Sequence, residues 1–239
     1  MYPDLQDKVV MITGAAGSLG MGVVHAFAGA GSQLALLDVE RDKFAERYGD
    51  DLNTNWLLLA GDVTQADAVN AALAAAVERF GGVDVLVNIA GGYTAGQPVH
   101  EMHIDTWDKM MALNAKSVFV MGNIIAGHMV ERAQGGRIIN IGAKPGLAAN
   151  GNDAAYSASK SAVLRLTEAM SKELKLHNIN VNAVLPALLD TPANRSAMPN
   201  ADFSKWVTPA SMADVIMFLA ADASRDISGA LIPVYGALV

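Results

Sequence analysis

Apolar runs of strand length alternate with longer segments of helical period along the whole chain. The candidate strands are Val9–Thr13, Gln33–Asp38, Trp56–Ala60, Val83–Ile89, Arg137–Gly142, Asn180–Leu185 and Ala230–Tyr235. The candidate helices are Gly20–Ala30, Ala66–Phe80, Thr106–Arg132, Ala154–Leu176 and Ala210–Ala221. Nearly continuous apolar strands are typical of parallel strands that helices cover on both faces. The pattern therefore predicts an α/β fold, a doubly wound parallel sheet of about seven strands with helices on both faces.

The composition fits one globular domain over residues 1–239, with 52% hydrophobic and 17% charged residues. The net charge of −7 disfavours a nucleic-acid partner, because phosphates require a basic face. The absence of cysteine excludes disulfides and cysteine nucleophiles. The polar, acidic segment Met1–Lys8 and the lack of an 18-residue apolar run predict neither a signal peptide nor a membrane partner. We therefore expect a cytoplasmic protein.

One long irregular stretch, Pro186–Val207, interrupts the alternation and is rich in proline. Loops of this length inside a compact domain are usually functional, so residues 187–207 are predicted to form a substrate lid. Met198, Phe203 and Trp206 give this segment an apolar face. That face favours a hydrophobic substrate or packing of the lid onto the domain.

A glycine-rich turn joins the first strand to the first helix. It reads Thr-Gly-Ala-Ala-Gly-Ser-Leu-Gly over residues 13–20. Glycines in this context let the backbone approach a pyrophosphate, which then rests on the N–H groups at the start of the helix. The turn predicts a dinucleotide site that contains Gly14, Gly17, Ser18, Leu19 and Gly20.

Asp38 ends the second strand, 18 residues after the last glycine of the turn. An acidic side chain there can accept hydrogen bonds from the adenosine ribose and would repel a 2′-phosphate. Arg41 keeps NADP possible, but Asp38 favours NAD as the cofactor.

Tyr156 and Lys160 lie four residues apart near the start of a helical segment, so their side chains share one helix face. A cation held near a phenol favours the phenolate and lowers its pKa toward the working range. Taken alone, this pair is equally typical of an exposed helix face.

Together, these motifs make the chain resemble the short-chain dehydrogenase/reductase family, in its short single-domain branch with a Rossmann-like fold. The resemblance rests on the ordered series of the glycine turn, Asp62-Val63, Asn88-Ile89-Ala90-Gly91, Asn114, the pair Tyr156/Lys160, and Pro186 through Thr191. It implies an NAD(H)-dependent oxidoreductase that acts on a small molecule and associates as a homotetramer or homodimer through the segments 106–132 and 154–176.

The resemblance also implies roles for individual residues. Tyr156 would exchange a proton with the substrate, Lys160 would bind the nicotinamide ribose and lower the pKa of Tyr156, and Asn114 would hold a water in a proton relay. Cofactor contacts are implied for Asp62, Val63, Asn88, Ala90, Gly91, Pro186, Leu189 and Thr191.

The chain departs from the family pattern at the position of the usual catalytic serine, thirteen residues before the tyrosine, where it has Ala143. A methyl group cannot donate a hydrogen bond to a carbonyl, and losing such a donor commonly costs about 10²–10³ in rate. The neighbours Lys144, Ser157 and Ser159 are candidates for compensation. Gly142-Ala143-Lys144 is similar to the corresponding segment of the quinonoid dihydropteridine reductase branch, which favours an activated carbonyl, imine or quinonoid substrate.

Other departures leave alternatives open. The glycine spacing is also similar to that of the longer epimerase-like branch, and Ala187 and Tyr235 replace residues common in the family. A chain that binds nucleotide without turnover, acting as a sensor or partner subunit, is the competing hypothesis from another class. Candidate substrate contacts are Ala143, Lys144, Tyr93 and Met198. No metal is predicted, because His100-Glu101-Met102-His103 lacks the helical zinc-binding spacing.

Overall fold

Within residues 2–53 and 55–238, the part of the chain that the computed structural model describes, seven strands form one sheet. Residues 1, 54 and 239 of the predicted domain lie outside the described residues. The strands are all parallel and run in the order β3-β2-β1-β4-β5-β6-β7. Their bounds are β1 Val9–Thr13, β2 Gln33–Asp38, β3 Leu57–Ala60, β4 Val85–Asn88, β5 Gly136–Ile141, β6 Ile179–Pro186 and β7 Leu231–Val234. The predicted doubly wound sheet is confirmed.

Helices connect successive strands and cover both faces of the sheet. They are α1 Ser18–Gly29, α2 Asp42–Tyr48, α3 Ala66–Phe80, α4 Ile104–Met110, α5 Ser117–Arg132, α6 Ala154–Leu174, α7 Pro192–Ala197 and α8 Pro209–Ala220. One buried apolar cluster joins α1 and α8 to the sheet. A second cluster joins α3 and α5 to the opposite face. Because helices pack apolar side chains against both faces, the central strands consist almost entirely of apolar residues such as Val, Ile and Leu.

The helical segment 104–132 is longer than predicted and is not a uniform α-helix. It begins at Ile104, two residues before the predicted start, and Met111–Lys116 forms a π-helical insertion between α4 and α5. By length and composition Ile104–Arg132 could span a membrane, but 56% of its most apolar window is buried inside the domain. Burial of this kind is equally characteristic of a core helix.

Two short helices are absent from the prediction. In α2, Phe44 and Tyr48 lie one turn apart and are both buried, a pattern too short to stand out in the sequence. In α7, the Thr191 hydroxyl oxygen accepts a hydrogen bond from the Asn194 N–H (3.2 Å) and Pro192 occupies the first turn. The stretch predicted as irregular therefore contains a capped helix.

The strand order reverses direction between β1 and β4, which are neighbours although β2 and β3 separate them in the chain. In open α/β sheets, ligands bind outside the carboxyl ends of the strands at this switch point. The glycine turn after β1 and the segment after β4 meet there.

Candidate functional site

A groove of about 420 Å³ lies at the carboxyl ends of β1, β2, β3 and β4. Ten residues predicted to bind a cofactor line it: Gly14, Gly17, Ser18, Leu19, Asp38, Asp62, Val63, Ala90, Gly91 and Thr191. Five lining residues were missed by the sequence analysis: Leu37, Val39, Gly61, Ile89 and Leu113. All five directly adjoin a residue that the sequence analysis named, so adjacency to a motif residue was the available signal.

Backbone packing requires glycine at two positions of the turn. Gly14 has φ +63°, and a Cβ there would lie 2.9 Å from the Ala90 nitrogen. A Cβ on Gly20 would lie 2.3 Å from the Gly14 carbonyl oxygen, so the start of α1 is packed directly against the turn. Gly20 does not line the groove but allows the turn to close.

Two side chains outside the turn hold its backbone. Asp38 Oδ2 accepts a hydrogen bond from the Ala16 N–H (3.1 Å), and its Oδ1 accepts one from the Val39 N–H (2.9 Å). The buried Tyr48 hydroxyl donates to the Ala15 carbonyl oxygen (2.7 Å). Burial and the neighbouring Asp38 carboxylate raise the pKa of Tyr48, so it remains a donor. The sequence analysis missed this role of Tyr48, which depends on the fold of α2.

Asp62 and Val63 follow β3 at the outer end of the groove. The Thr64 backbone N–H donates to Asp62 Oδ1 (2.8 Å), and this bond lowers the pKa of the Asp62 carboxyl, with Lys116 adding a smaller electrostatic contribution. Asp62 is therefore an anionic hydrogen-bond acceptor at the outer end of the groove. The buried Val63 side chain also lines the groove.

Asn88 ends β4 under the groove and does not line it. Its Nδ2 donates to Asn140 Oδ1 (2.9 Å), and Asn140 Nδ2 donates to Thr167 Oγ1 (2.9 Å) on α6. Thr13 Oγ1 accepts from the N–H groups of Ile89 and Ala90 (3.0 and 3.1 Å). These polar side chains tie the ends of β1, β4 and β5 together and connect them to the helix that carries Tyr156.

Lys160 connects that helix to the groove. Its Nζ donates to the Ile141 carbonyl oxygen (2.8 Å), and a Cβ built on Gly91 would lie 3.6 Å from the same Nζ. Tyr156 is half-buried one turn earlier on α6. Lys160 is thus placed beside the inner end of the groove, with Tyr156 one turn away on the same helix.

The expected lowering of the Tyr156 pKa by Lys160 is not found in this structure. Burial raises the pKa of Tyr156 to about 12, and the nearby Tyr93 and Asp153 add to the rise. Lys160 is held by a backbone carbonyl instead, and burial lowers the pKa of its ammonium group to about 8. Tyr156 is therefore protonated at neutral pH, as a proton donor must be.

Asn114 lies in the π-helical segment and is completely buried. Its Oδ1 accepts from the Gly92 N–H (2.9 Å), and its Nδ2 donates to the Gly92 carbonyl oxygen and to Ser159 Oγ (both 3.0 Å). Asn114 thus joins the segment after β4 to α6. Its predicted role in holding a water stays a prediction.

The four candidate substrate contacts lie in different surroundings. Tyr93 packs edge to face against Tyr156, with ring centroids 4.8 Å apart. Ala143 is buried just after β5, and the Lys144 Nζ lies 5.0 Å from the centre of the Tyr235 ring. Met198 is 36% exposed at the end of α7. The structure thus brings Tyr93 against Tyr156 and packs the Lys144 ammonium group against Tyr235.

The predicted lid is partly ordered by its own contacts. Leu189 pairs with Val207 in a parallel bridge, and the Asp190 N–H donates to the Val207 carbonyl oxygen (2.8 Å). Asp190 also forms a bidentate ion pair with Arg195. Pro186 ends the buried strand β6 beneath this segment, and of Pro186, Leu189 and Thr191 only Thr191 lines the groove.

The sequence is similar to a large family of known proteins. The model of the short chain dehydrogenase family matches residues 8–202. The chain belongs to the short-chain dehydrogenase/reductase family. It is 31% identical to 2-(R)-hydroxypropyl-CoM dehydrogenase of Xanthobacter autotrophicus, over 96% of this chain and 98% of that protein.

Solved structures of family members superpose closely on this chain. A short-chain dehydrogenase/reductase from Mycobacterium marinum has a TM-score of 0.90 at 29% identity, covering 98% of this chain and 96% of the other. The 3-ketoacyl-(acyl-carrier-protein) reductase of Brucella melitensis, solved with NADH, has a TM-score of 0.86 at 28% identity, covering 97% and 98%. The chain is accordingly an oxidoreductase that uses a nicotinamide cofactor and a small-molecule substrate. The relatives give no support to a nucleotide-binding protein without turnover.

The groove residues fit a nicotinamide dinucleotide. No side chain projects from Gly14, Gly17 or Gly91, so the backbone floor at the start of α1 is open to a pyrophosphate. Asp38 and Asp62 supply acceptors at the outer end, and Lys160 lies at the inner end.

The buried Lys160 makes stability depend on pH. The folded chain releases the Lys160 proton at about pH 8, against an ordinary pKa of 10.5, so the unfolded chain binds more protons between these values. The free energy of unfolding therefore rises with pH across this window. From about pH 7.5 to about pH 9.5, we expect the native protein to gain about 1–2 kcal/mol relative to Lys160→Met.

Urea unfolding at the two pH values checks this prediction. Lys172→Met, on the exposed side of the same helix, serves as the matched control and should follow the native curve. Parallel pH dependences of the native protein and Lys160→Met would contradict it.

Proposed function

We propose that this short-chain dehydrogenase/reductase is NAD(H)-dependent and reduces an activated carbonyl, imine or quinonoid substrate, with Tyr156 as its general acid. The observation that carries the proposal is the position of Lys160 Nζ beside Gly91. It places the Tyr156/Lys160 helix face against the inner end of a groove whose outer end contains Asp38. In this arrangement, the helix that carries the proposed proton donor lies beside the inner end of the cofactor groove.

The chain's own residues would bind the cofactor and deliver a proton. The backbone N–H groups at the start of α1 and the Asp38 and Asp62 carboxylates bind and orient the dinucleotide, which supplies the hydride when it is bound. Tyr156, protonated at neutral pH, donates its proton to the substrate oxygen or nitrogen. The phenolate left behind takes up a proton from solvent, and Lys160, held at the Ile141 carbonyl oxygen beside Gly91, binds the nicotinamide ribose.

Ala143 supports an electron-poor substrate. We propose that it takes the place of the family's serine, so one hydrogen-bond donor to the developing oxyanion is missing. A diketone, an iminium ion or a quinonoid ring accepts electrons more readily than a simple ketone, so its reduction depends less on that donor. The buried methyl group of Ala143 has no hydrogen-bond donor to offer a substrate.

We also propose a homotetramer or homodimer in the cytoplasm. An apolar groove of about 370 Å³ between α5 and α6 includes Phe119, which is 54% exposed, together with Gly122 and Met170. These helices are the ones through which the family resemblance implies association. Residues 187–207 are proposed to close over the substrate as a lid within the single domain.

Asp38 determines the preference for NAD over NADP in this proposal. In Asp38→Asn, the charge that repels a 2′-phosphate is gone, while one oxygen remains to accept from the Ala16 N–H. We expect the ratio of NADPH to NADH affinity to rise about tenfold, about 1.4 kcal/mol in binding free energy. Fluorescence titration with both nucleotides measures this, and Asp42→Asn on the exposed start of α2 is the control. An unchanged ratio would contradict the assignment.

The reaction is tested by following NADH oxidation with a panel of vicinal diketones, cyclic imines and quinonoid dihydropterin. We expect turnover with at least one of these acceptors and slower turnover with unactivated ketones. If unactivated ketones are the best substrates, the proposed substrate class is wrong.

A further inference from the structure

The side chains adjacent to the reaction centre in sequence do not replace a hydroxyl group at position 143. Ser157 is buried and donates to Asp153 Oδ1 (2.7 Å). Ser159 donates to the Tyr156 carbonyl oxygen (2.7 Å) and accepts from Asn114. Lys144 packs its ammonium group over the Tyr235 ring. Ser157, Ser159 and Lys144, the candidates to replace the missing serine hydroxyl, are therefore each bound to another partner.

The Tyr93 side chain packs against the proposed proton donor, Tyr156. Its ring meets the Tyr156 ring edge to face, with an interplanar angle of 87° and centroids 4.8 Å apart. Such a geometry is favourable between aromatic rings and fixes one ring relative to the other. Tyr93 nevertheless remains 68% exposed, so most of its surface is accessible to solvent or to a ligand.

Hydrogen bonds on both sides hold the segment that carries Tyr93. Both backbone polar groups of Gly92 are bonded to the Asn114 side chain (2.9 and 3.0 Å). The Gly96 N–H donates to the Asn152 carbonyl oxygen (2.8 Å), just before α6. Within residues 2–53 and 55–238, no hydrogen bond engages the Tyr93 hydroxyl group. The ring is thus anchored while its hydroxyl group is free to meet a substrate.

We propose that Tyr93 is a catalytic residue of this protein, whose hydroxyl group donates to the substrate oxygen or nitrogen in the role that Ala143 cannot perform. The inference rests on the proposed function. Tyr93 transfers no proton; it donates a hydrogen bond that strengthens as negative charge develops on the substrate, and Tyr156 supplies the proton. The exposed Tyr93 ring would also form a flat apolar wall, which suits a planar conjugated acceptor.

The test is a double-mutant cycle of Tyr93→Phe and Ala143→Ser, assayed with NADH and the best acceptor of the panel. Phenylalanine keeps the ring and removes only the hydroxyl group. In the native background we expect kcat/KM to fall about 10²-fold, mostly in kcat, since the lost bond acts on the transition state. In the Ala143→Ser background the serine supplies a donor, so the same substitution should cost about threefold or less.

Two controls separate failure of this inference from failure of the proposed function. Tyr156→Phe must lower turnover at least about tenfold if Tyr156 is the general acid, and Tyr2→Phe removes a hydroxyl group near the N-terminus. NADH affinity, measured by fluorescence, should be unchanged in Tyr93→Phe, which shows an intact fold.

If Tyr156→Phe loses turnover as expected and Tyr93→Phe matches the native protein, the role of Tyr93 is overturned while the proposed function stands. Equal losses for Tyr93→Phe in both backgrounds also overturn it, because the two hydroxyl groups would then be independent. If no acceptor is reduced in either background, the proposed function fails and the inference fails with it.

Discussion

Replacing Tyr156 by phenylalanine is expected to lower kcat/KM by about 10²–10⁴ while NADH binds as tightly as before. We propose the phenol as the proton donor, and its pKa of about 12 keeps it protonated throughout the neutral range. Phenylalanine preserves the packing against Tyr93, so the change removes chemistry and leaves the wall of the site in place. The whole loss should therefore appear in turnover.

Stopped-flow single turnovers with the best acceptor, together with fluorescence titration of NADH, separate the chemical step from binding. Tyr2→Phe provides a matched loss of one hydroxyl group outside the site. Retention of more than about a tenth of native turnover by Tyr156→Phe would show that another group or solvent delivers the proton.

Gly20→Ala is expected to destabilise the chain and to weaken NADH binding at least about tenfold. The new Cβ would lie 2.3 Å from the Gly14 carbonyl oxygen and 2.6 Å from that of Ala15, both backbone atoms that cannot rotate away. Relief requires the start of α1 to move off the turn, which costs about 1–3 kcal/mol as overpacking does elsewhere. The same movement displaces the N–H groups that face the groove.

Gly29→Ala is the matched control, because it lies at the other end of α1 and an added Cβ there meets nothing within 4 Å. Alanine is favoured over glycine in helices by about 0.5–1 kcal/mol, so this variant should be as stable as the native protein or more stable. Urea unfolding and NADH titration of both variants check the pair. Native-like binding by Gly20→Ala would show that the turn tolerates a side chain and that the close packing is not required.

Most of the sheet could be predicted because its signal is local. Parallel strands buried on both faces are marked by unbroken apolar runs, and β1 and β2 were predicted to the residue. The π-helical segment Met111–Lys116 could not be predicted, since its extra residue per turn leaves no distinct residue pattern. Helix α2 was missed because seven residues carry too little periodicity to separate it from a loop.

The groove residues follow from the sequence for a similar reason. A glycine in a tight turn, or an acidic residue directly after a strand, can be recognised from the few residues around it. Gly14, Asp38 and Asp62, which are predicted to bind the cofactor, all line the groove. Tyr48, which bonds to the Ala15 carbonyl oxygen, shows no such motif, because its partner is 33 residues away in the chain.

By itself, the sequence determined the α/β class, the dinucleotide turn and the Tyr156/Lys160 pair, since each depends on neighbours within a few positions of the chain. Only the tertiary structure decided which side chains surround the proposed proton donor. It engaged Ser157, Ser159 and Lys144 with other partners and brought Tyr93 against Tyr156. Hydrogen bonding and ring packing between distant segments depend on the path of the backbone, which no local pattern encodes.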